Sequence, residues 1–189
     1  MLRAAGIPAS QITLFSVPEH PREGGLVVVY PGTSKTLKPM LMLAHLDVVE
    51  ANRADWVRDP FTLIEENGYF YARGTVDDKD NVAANLMTML LLKRLNVKLD
   101  RDVILLIEAG EEGSSRLGIQ FMANEHWPEI DAEFCYAEGG SLTRTGGVVK
   151  YARVQTVEKI PRAITVTSKG VAGHGSVPLE TNALAHLGE

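Results

Sequence analysis

The stretch "VILLIEAGEEGSS" constrains this chain most: an apolar run only long enough for a strand leads into Glu108, Glu111 and Glu112. A short, continuous apolar run that is β-branched in part predicts a strand buried on both faces. Carboxylates repel one another and resist leaving water, so their clustering beside a buried strand requires something that makes it tolerable.

Other apolar runs end the same way. "PMLMLAH" (39–45) runs into His45 and Asp47, and "EFCYAE" into Glu138. The turn "ARGTVDDKD" supplies Asp77 and Asp78 just before "NVAANLMTMLLLKRL", a helix by its length, helix formers and basic end, with Asp78 and Asp80 as candidate N-caps. "GLVVVY" (25–30) is a strand, "DPFTLIEENGYFYARG" (59–74) a hairpin turning at "ENG", and "SRLGIQFMANEH" a helix. Strands alternating with helices predict an α/β fold: a mixed, largely parallel sheet with flanking helices. Ligands of such sheets collect beyond the carboxyl ends of the strands, where these acids would converge.

From about Val157 the texture changes. "RAITVTSKG" alternates like a half-solvated strand, and "ETNALAHLGE" resembles a helix beginning. We therefore expect one part, bearing the clustered acids, over 1–156 and the start of a small α+β domain over 157–189. Because that helix is cut off at its start, we expect the chain to be the N-terminal part of a longer protein.

Composition narrows the alternatives. At 189 residues and 45% hydrophobic the chain can bury a sizeable core, and a net charge of -5 with scattered lysines and arginines argues against a nucleic-acid surface. No apolar run approaches a membrane span and nothing at the start resembles a signal peptide. The compartment stays open: cytoplasmic if Met1 is the true start, periplasmic or secreted if a leader preceded it. The single cysteine, Cys135, excludes an internal disulfide, and its apolar surroundings predict an inert core residue.

The chemistry follows from residue type. His-x-Asp on an extended segment puts both side chains on one face, so the imidazole can bind a metal while Asp47 orients it. Asp77 has two oxygens and can bridge two cations. Adjacent Glu111 and Glu112 point differently, leaving one as ligand and the other as general base. Histidine mixed with carboxylates suits zinc, cobalt or manganese, and hydrolysis by a metal-activated water is the natural reaction. Each piece alone also has a structural explanation: an ion pair, a solvated loop, a helix cap. Their conjunction in one α/β pattern favours the metal.

With these residues in view, "AHLDVV", "W" then "DPF" (Trp56, Asp59 to Phe61), "ARGTVDDKD", "EAGEEGSS", "AEGG" and "GVAGHGSVP" together resemble a metallopeptidase family. It includes acetylornithine deacetylase, succinyl-diaminopimelate desuccinylase, aminoacylase and carboxypeptidases of the G and S types. The resemblance implies a zinc-exopeptidase-like catalytic domain followed by a lid that also serves dimerisation. It implies two zinc ions and cleavage of an amide bond beside a free carboxylate, in a peptide or an N-acyl amino acid. His45 and Glu138 would bind the first ion, Asp77 would bridge, and Glu112 would bind the second. Glu111 would be general base and acid on the metal-bridging water, with Asp47 behind His45 and a cis peptide at Asp77–Asp78. His174 would reach the substrate carbonyl, commonly in the partner subunit of a homodimer.

Glu50 and Asp80 stand where the family often has proline and glycine, which bears on subfamily rather than chemistry. The resemblance also puts the second ion's histidine beyond residue 189, so the full-length parent is expected to be the enzyme and this stretch alone inactive. Two alternatives remain at this level: an inactive metal- or partner-binding protein of the same fold, and an α/β domain with a solvated acidic rim. A serine hydrolase is disfavoured because Gly-x-Ser-x-Gly is absent. His20, His126 and His186 match no motif, and Trp56 and Phe61 are expected to be packing residues.

Overall fold

The computed structural model describes residues 1–157, 159–160 and 162–188. Along the chain lie β1 (Ile12–Val17), β2 (His20–Tyr30), β3 (Met40–His45), β4 (Ile64–Glu66), β5 (Tyr69–Tyr71) and α1 (Lys79–Arg94). There follow β6 (Val103–Glu108), α2 (Ile119–Glu125), α3 (Trp127–Ile130), β7 (Phe134–Tyr136), β8 (Ser141–Thr145), β9 (Val148–Arg153) and α4 (Ala183–Gly188). The chain divides into two compact units, Met1–Gly139 and Gly140–Glu189.

The first unit is built on a five-stranded mixed sheet in the order β1-β2-β6-β3-β7. β6 runs parallel to β3, and β3 parallel to β7, while β1, β2 and β6 pair antiparallel. Every residue of β6 is buried, as its unbroken apolar run predicts. Its side chains alternate between two cores. Val103, Leu105 and Ile107 pack with Val28, Met42, Val82 and Met89 on the α1 side. Ile104 and Leu106 pack with Val27, Leu41, Met122 and Ile130 on the side of α2 and α3. That two-sided burial is the α/β sandwich expected from the alternating pattern.

Local chemistry sets the boundaries. The expected hairpin forms from β4 and β5, with Asn67 and Gly68 at φ 54° and 80° in its turn. Asp78 takes the N-cap position of α1, though its side chain is used elsewhere. At the far end, the one proton of Tyr30 Oη is shared between the Val97 and Leu92 carbonyls, at 2.7 and 3.0 Å, tying β2 to the end of α1. Among the described residues, no helix is long and apolar enough to cross a membrane.

Three expectations change. Cys135 lies exposed on β7 rather than in the core, because β7 is the edge strand and carries its apolar run outward. Burial around the sulfur, then Glu108, still raises its pKa, so the thiol remains protonated and unreactive at neutral pH. Phe61 is 63% exposed rather than packed, and the guanidinium of Arg73 stacks over Trp56 at 5.4 Å. "RAITVTSKG" forms no ladder among its described residues: an alternating pattern makes a strand only where another strand offers hydrogen bonds. The helix expected at "ETNALAHLGE" does form, as α4.

Because Leu105 is fully buried at the centre of the α1-side core, Leu105→Ala should cost about 3–4 kcal/mol of stability. Leu14→Ala on the exposed face of β1 should cost no more than about 0.5 kcal/mol. Urea unfolding of both variants checks this; equal losses would contradict the two-sided core.

Candidate metal centre

The three parallel strands set the site. His45 ends β3 and stands in register with Glu108, the last residue of β6. On the other side Met42 pairs with Tyr136, so Glu138 emerges two residues past the end of β7, level with the end of β3. The fourth contribution is Asp77, in the turn that precedes α1, and the Asp77–Asp78 peptide is cis.

These elements bring His45, Asp77 and Glu138 together, with one donor atom from each lying within 4.8 Å of the others. His45 Nε2 is 3.1 Å from Asp77 Oδ1, 3.6 Å from Glu138 Oε2 and 3.9 Å from Glu111 Oε2. Two atoms bound tetrahedrally to one zinc at about 2.1 Å are themselves about 3.4 Å apart, so the donors stand at the separations of a shared ion. The donor set of one imidazole and two carboxylates therefore fits a divalent cation in chemistry and in spacing. Glu112 stands outside this triad, yet its carboxyl is raised by burial first, then by Asp77 and Glu111.

His45 is held at two points. Its backbone N–H donates to Asp78 Oδ2 at 3.1 Å. Its Nδ1 donates to the Asp47 carbonyl at 3.1 Å and lies 3.4 Å from Asp47 Oδ1. That fixes the ring with Nε2 facing the acids, the nitrogen a metal would take. Asp47 also accepts the N–H groups of Glu111 and Glu112 at 3.2 and 2.9 Å, tying the glutamate loop to the loop after β3. Sequence reasoning gave Asp47 one task; the geometry gives it two.

The electrostatics record a crowd of acids. Burial lowers the His45 pKa, but Asp47, Glu111 and Glu138 outweigh it and the value is raised. Glu138 is raised by burial first, then by Asp78, Asp77 and Glu111, against the pull of His45. Both shifts favour holding protons where a cation would otherwise sit.

Two buried acids have surroundings that the sequence reading did not foresee. Asp78 is fully buried and joins the start of α1 to the end of β3, through His45 N–H and the Asn81 side chain. Glu108 is buried at the end of β6, with Oε2 lacking a hydrogen-bond partner and Gly118 so close that a Cβ there would meet Oε2 at 2.3 Å. Burial, then Asp47, pushes its pKa up to about 7 against the pull of His45 and the Ile119 N–H. The available signal was its position: it is the last residue of an unbroken strand run. His174 lies in the second unit, exposed, with Nδ1 2.8 Å from Ser176 Oγ and accepting the Ser176 N–H at 3.3 Å. His126 pairs with Glu129 at 3.2 Å and packs against Phe121, a structural role.

Comparison with known proteins gives the family. Residues 41–185 match the sequence profile of peptidase family M20/M25/M40. The chain is 31% identical to an uncharacterized carboxypeptidase of Schizosaccharomyces pombe over 166 residues, covering 85% of this chain and 28% of that protein. It is 31% identical to the N-fatty-acyl-amino acid synthase/hydrolase of Xenopus tropicalis over 176 residues, covering 89% and 34%. Among solved structures, an M20 family metallo-carboxypeptidase from Sulfolobus solfataricus superposes with a TM-score of 0.58 and 26% identity, over 69% of this chain and 29% of that one. The chain thus spans about a third of the length of the curated relatives it matches.

The folded Glu108 pKa of about 7 lies above its unfolded value of 4.5, so folding takes up a proton between them and stability falls as pH rises through that window. From about pH 5 to about pH 8, the metal-free protein should lose about 2–3 kcal/mol that Glu108→Gln does not lose. Denaturant midpoints of both forms across that range provide the check, and parallel curves would contradict the assignment.

Proposed function

We propose that this chain, which belongs to peptidase family M20/M25/M40, carries the metal-binding part of a two-metal hydrolase. Its substrates would be peptides or N-acyl amino acids, cleaved at an amide bond next to a free carboxylate. The observation that carries this reading is the spacing at His45 Nε2, 3.1 Å from Asp77 and 3.6 Å from Glu138. The names of the matched relatives, a carboxypeptidase and an N-fatty-acyl-amino acid synthase/hydrolase, support the substrate class.

His45, Asp77 and Glu138 would hold the first ion, with Asp77 and Glu112 offered to the second. When bound, zinc supplies Lewis-acid polarisation of the amide carbonyl and a lowered pKa for nearby water, and cobalt or manganese suit the same donors. The chain's own residues do the rest. Glu111 takes a proton from the attacking water and delivers it to the departing amine nitrogen. Asp47 fixes the His45 ring through Nδ1 and holds the backbone of Glu111 and Glu112, so a shift in one is felt by the others.

The same proposal assigns residues 1–156 to the metal-binding part and 157–189 to the opening of a lid, although the β8–β9 hairpin falls in the second compact unit. His174 would contact the substrate from that lid, in a homodimer. Its Nδ1 accepts the Ser176 N–H, which leaves the proton on Nε2, the form that donates to a carbonyl oxygen.

In the full-length protein, Glu111→Gln should lower kcat by at least about 10²-fold while metal content holds, because only the proton carrier is lost. Glu138→Ala should lower metal content itself, and Asp47→Ala should weaken metal affinity about 10–100-fold. Turnover and metal content measured on the same preparations separate these; Glu111→Gln with undiminished turnover would remove the proposed base.

A further inference from the structure

Between the β4–β5 hairpin, the loop after β3 and the start of α1 lies a cavity of about 570 Å³ whose walls are mainly hydrocarbon: Val48, Phe61, Leu63, Phe70 and Ala83. That volume is within the usual range of small-molecule pockets. Its apolar rim faces water, with Phe61 and Leu63 each 63% exposed and Phe70 61% exposed. Side chains of this kind normally turn away from solvent, and on the β4–β5 hairpin and the loop before it they do not.

Two segments of the cavity wall are those that bear the site residues. Val48 follows His45 by three positions, Thr75 precedes Asp77 by two and Lys79 follows it by two. An extended chain spans at most about 3.5 Å per residue, so these wall residues lie within about 10 Å of the ligands along the backbone. Gly74 makes the junction: at φ +86° its missing Cβ would meet Val48 Cγ1 at 2.6 Å, so only glycine lets the turn before Asp77 close on the loop after His45.

The two cationic side chains in the lining are engaged by the protein itself. Lys79 Nζ donates to the Leu46 carbonyl, and the Arg73 guanidinium stacks over Trp56. Arg73 adds a buried Nε with no acceptor, and Asp80 is the acid in the lining.

We infer that this cavity is a specificity pocket that receives an apolar substituent flanking the scissile amide. The inference rests on the hydrolase reading above and deepens it: the substrate carries a hydrocarbon group on one side of the bond. An aliphatic acyl chain and an apolar amino-acid side chain share that chemistry.

The test uses the metal-loaded full-length protein and two substrate series. One lengthens the acyl group from acetyl to octanoyl on a fixed amino acid; the other lengthens the amino-acid side chain from alanine to norleucine under a fixed acetyl group. In one series kcat/KM should rise about threefold per added methylene until the cavity is full, and the series that rises identifies the source. Ala83→Phe, which narrows the cavity, should cut the ratio of longest to shortest substrate at least tenfold in that series. Leu63→Ser, on an exposed side chain, should lower the same ratio and keeps the test alive should the first variant fold poorly. Two flat series, or a ratio unchanged in the variants that fold, would overturn the inference while leaving the hydrolase standing. No turnover of any amide would overturn both.

Discussion

Three neighbouring strands that run the same way must end at the same edge, and here those ends gather mutually repelling carboxylates around one imidazole. β3 supplies His45, β6 leads to Glu108, Glu111 and Glu112, and β7 leads to Glu138, with Asp77 arriving from the turn before α1. The apolar burial of β6 on both faces fixes that alignment, because slipping one residue would turn each core face toward the other layer. Hydrophobic packing therefore dictates an electrostatic problem, and the arrangement at the sheet edge is the set of solutions to it.

Those solutions differ from acid to acid. Asp47 and Asp78 are satisfied by backbone N–H groups, from Glu111 and Glu112 in one case and His45 in the other. Glu108 has too few partners for its burial and holds its proton instead. Asp77 and Glu138 face His45 Nε2 together, and no fixed cationic side chain pairs with them among the described residues. A divalent ion is the partner whose size and charge this last group fits.

Much of this was legible in the residues. An unbroken run such as "VILLI" predicts a strand buried twice over, "ENG" predicts a hairpin turn, and both are as expected. His45, Asp77 and Glu138 were brought forward because each closes or follows a structured segment, and they meet. What stayed hidden depends on partners that spacing does not record. β1 and the β8–β9 hairpin were not foreseen, though Gly146 and Gly147, at φ 57° and 79°, are a turn signal between the latter two strands. Cys135 and Phe61 look like core residues in one dimension, but an edge strand and a surface loop turn them outward. The three glutamates first seemed one cluster with one remedy; Glu108 is separated from the other two by burial and solves its problem with a proton.

The most direct test of a shared cation is a crystal of the zinc-loaded full-length protein, with anomalous data collected at the zinc edge. The account predicts a peak about 2.0–2.2 Å from His45 Nε2 and from one oxygen each of Asp77 and Glu138. Zinc found only elsewhere, or these three side chains bound to no common ion in fully loaded protein, would contradict it.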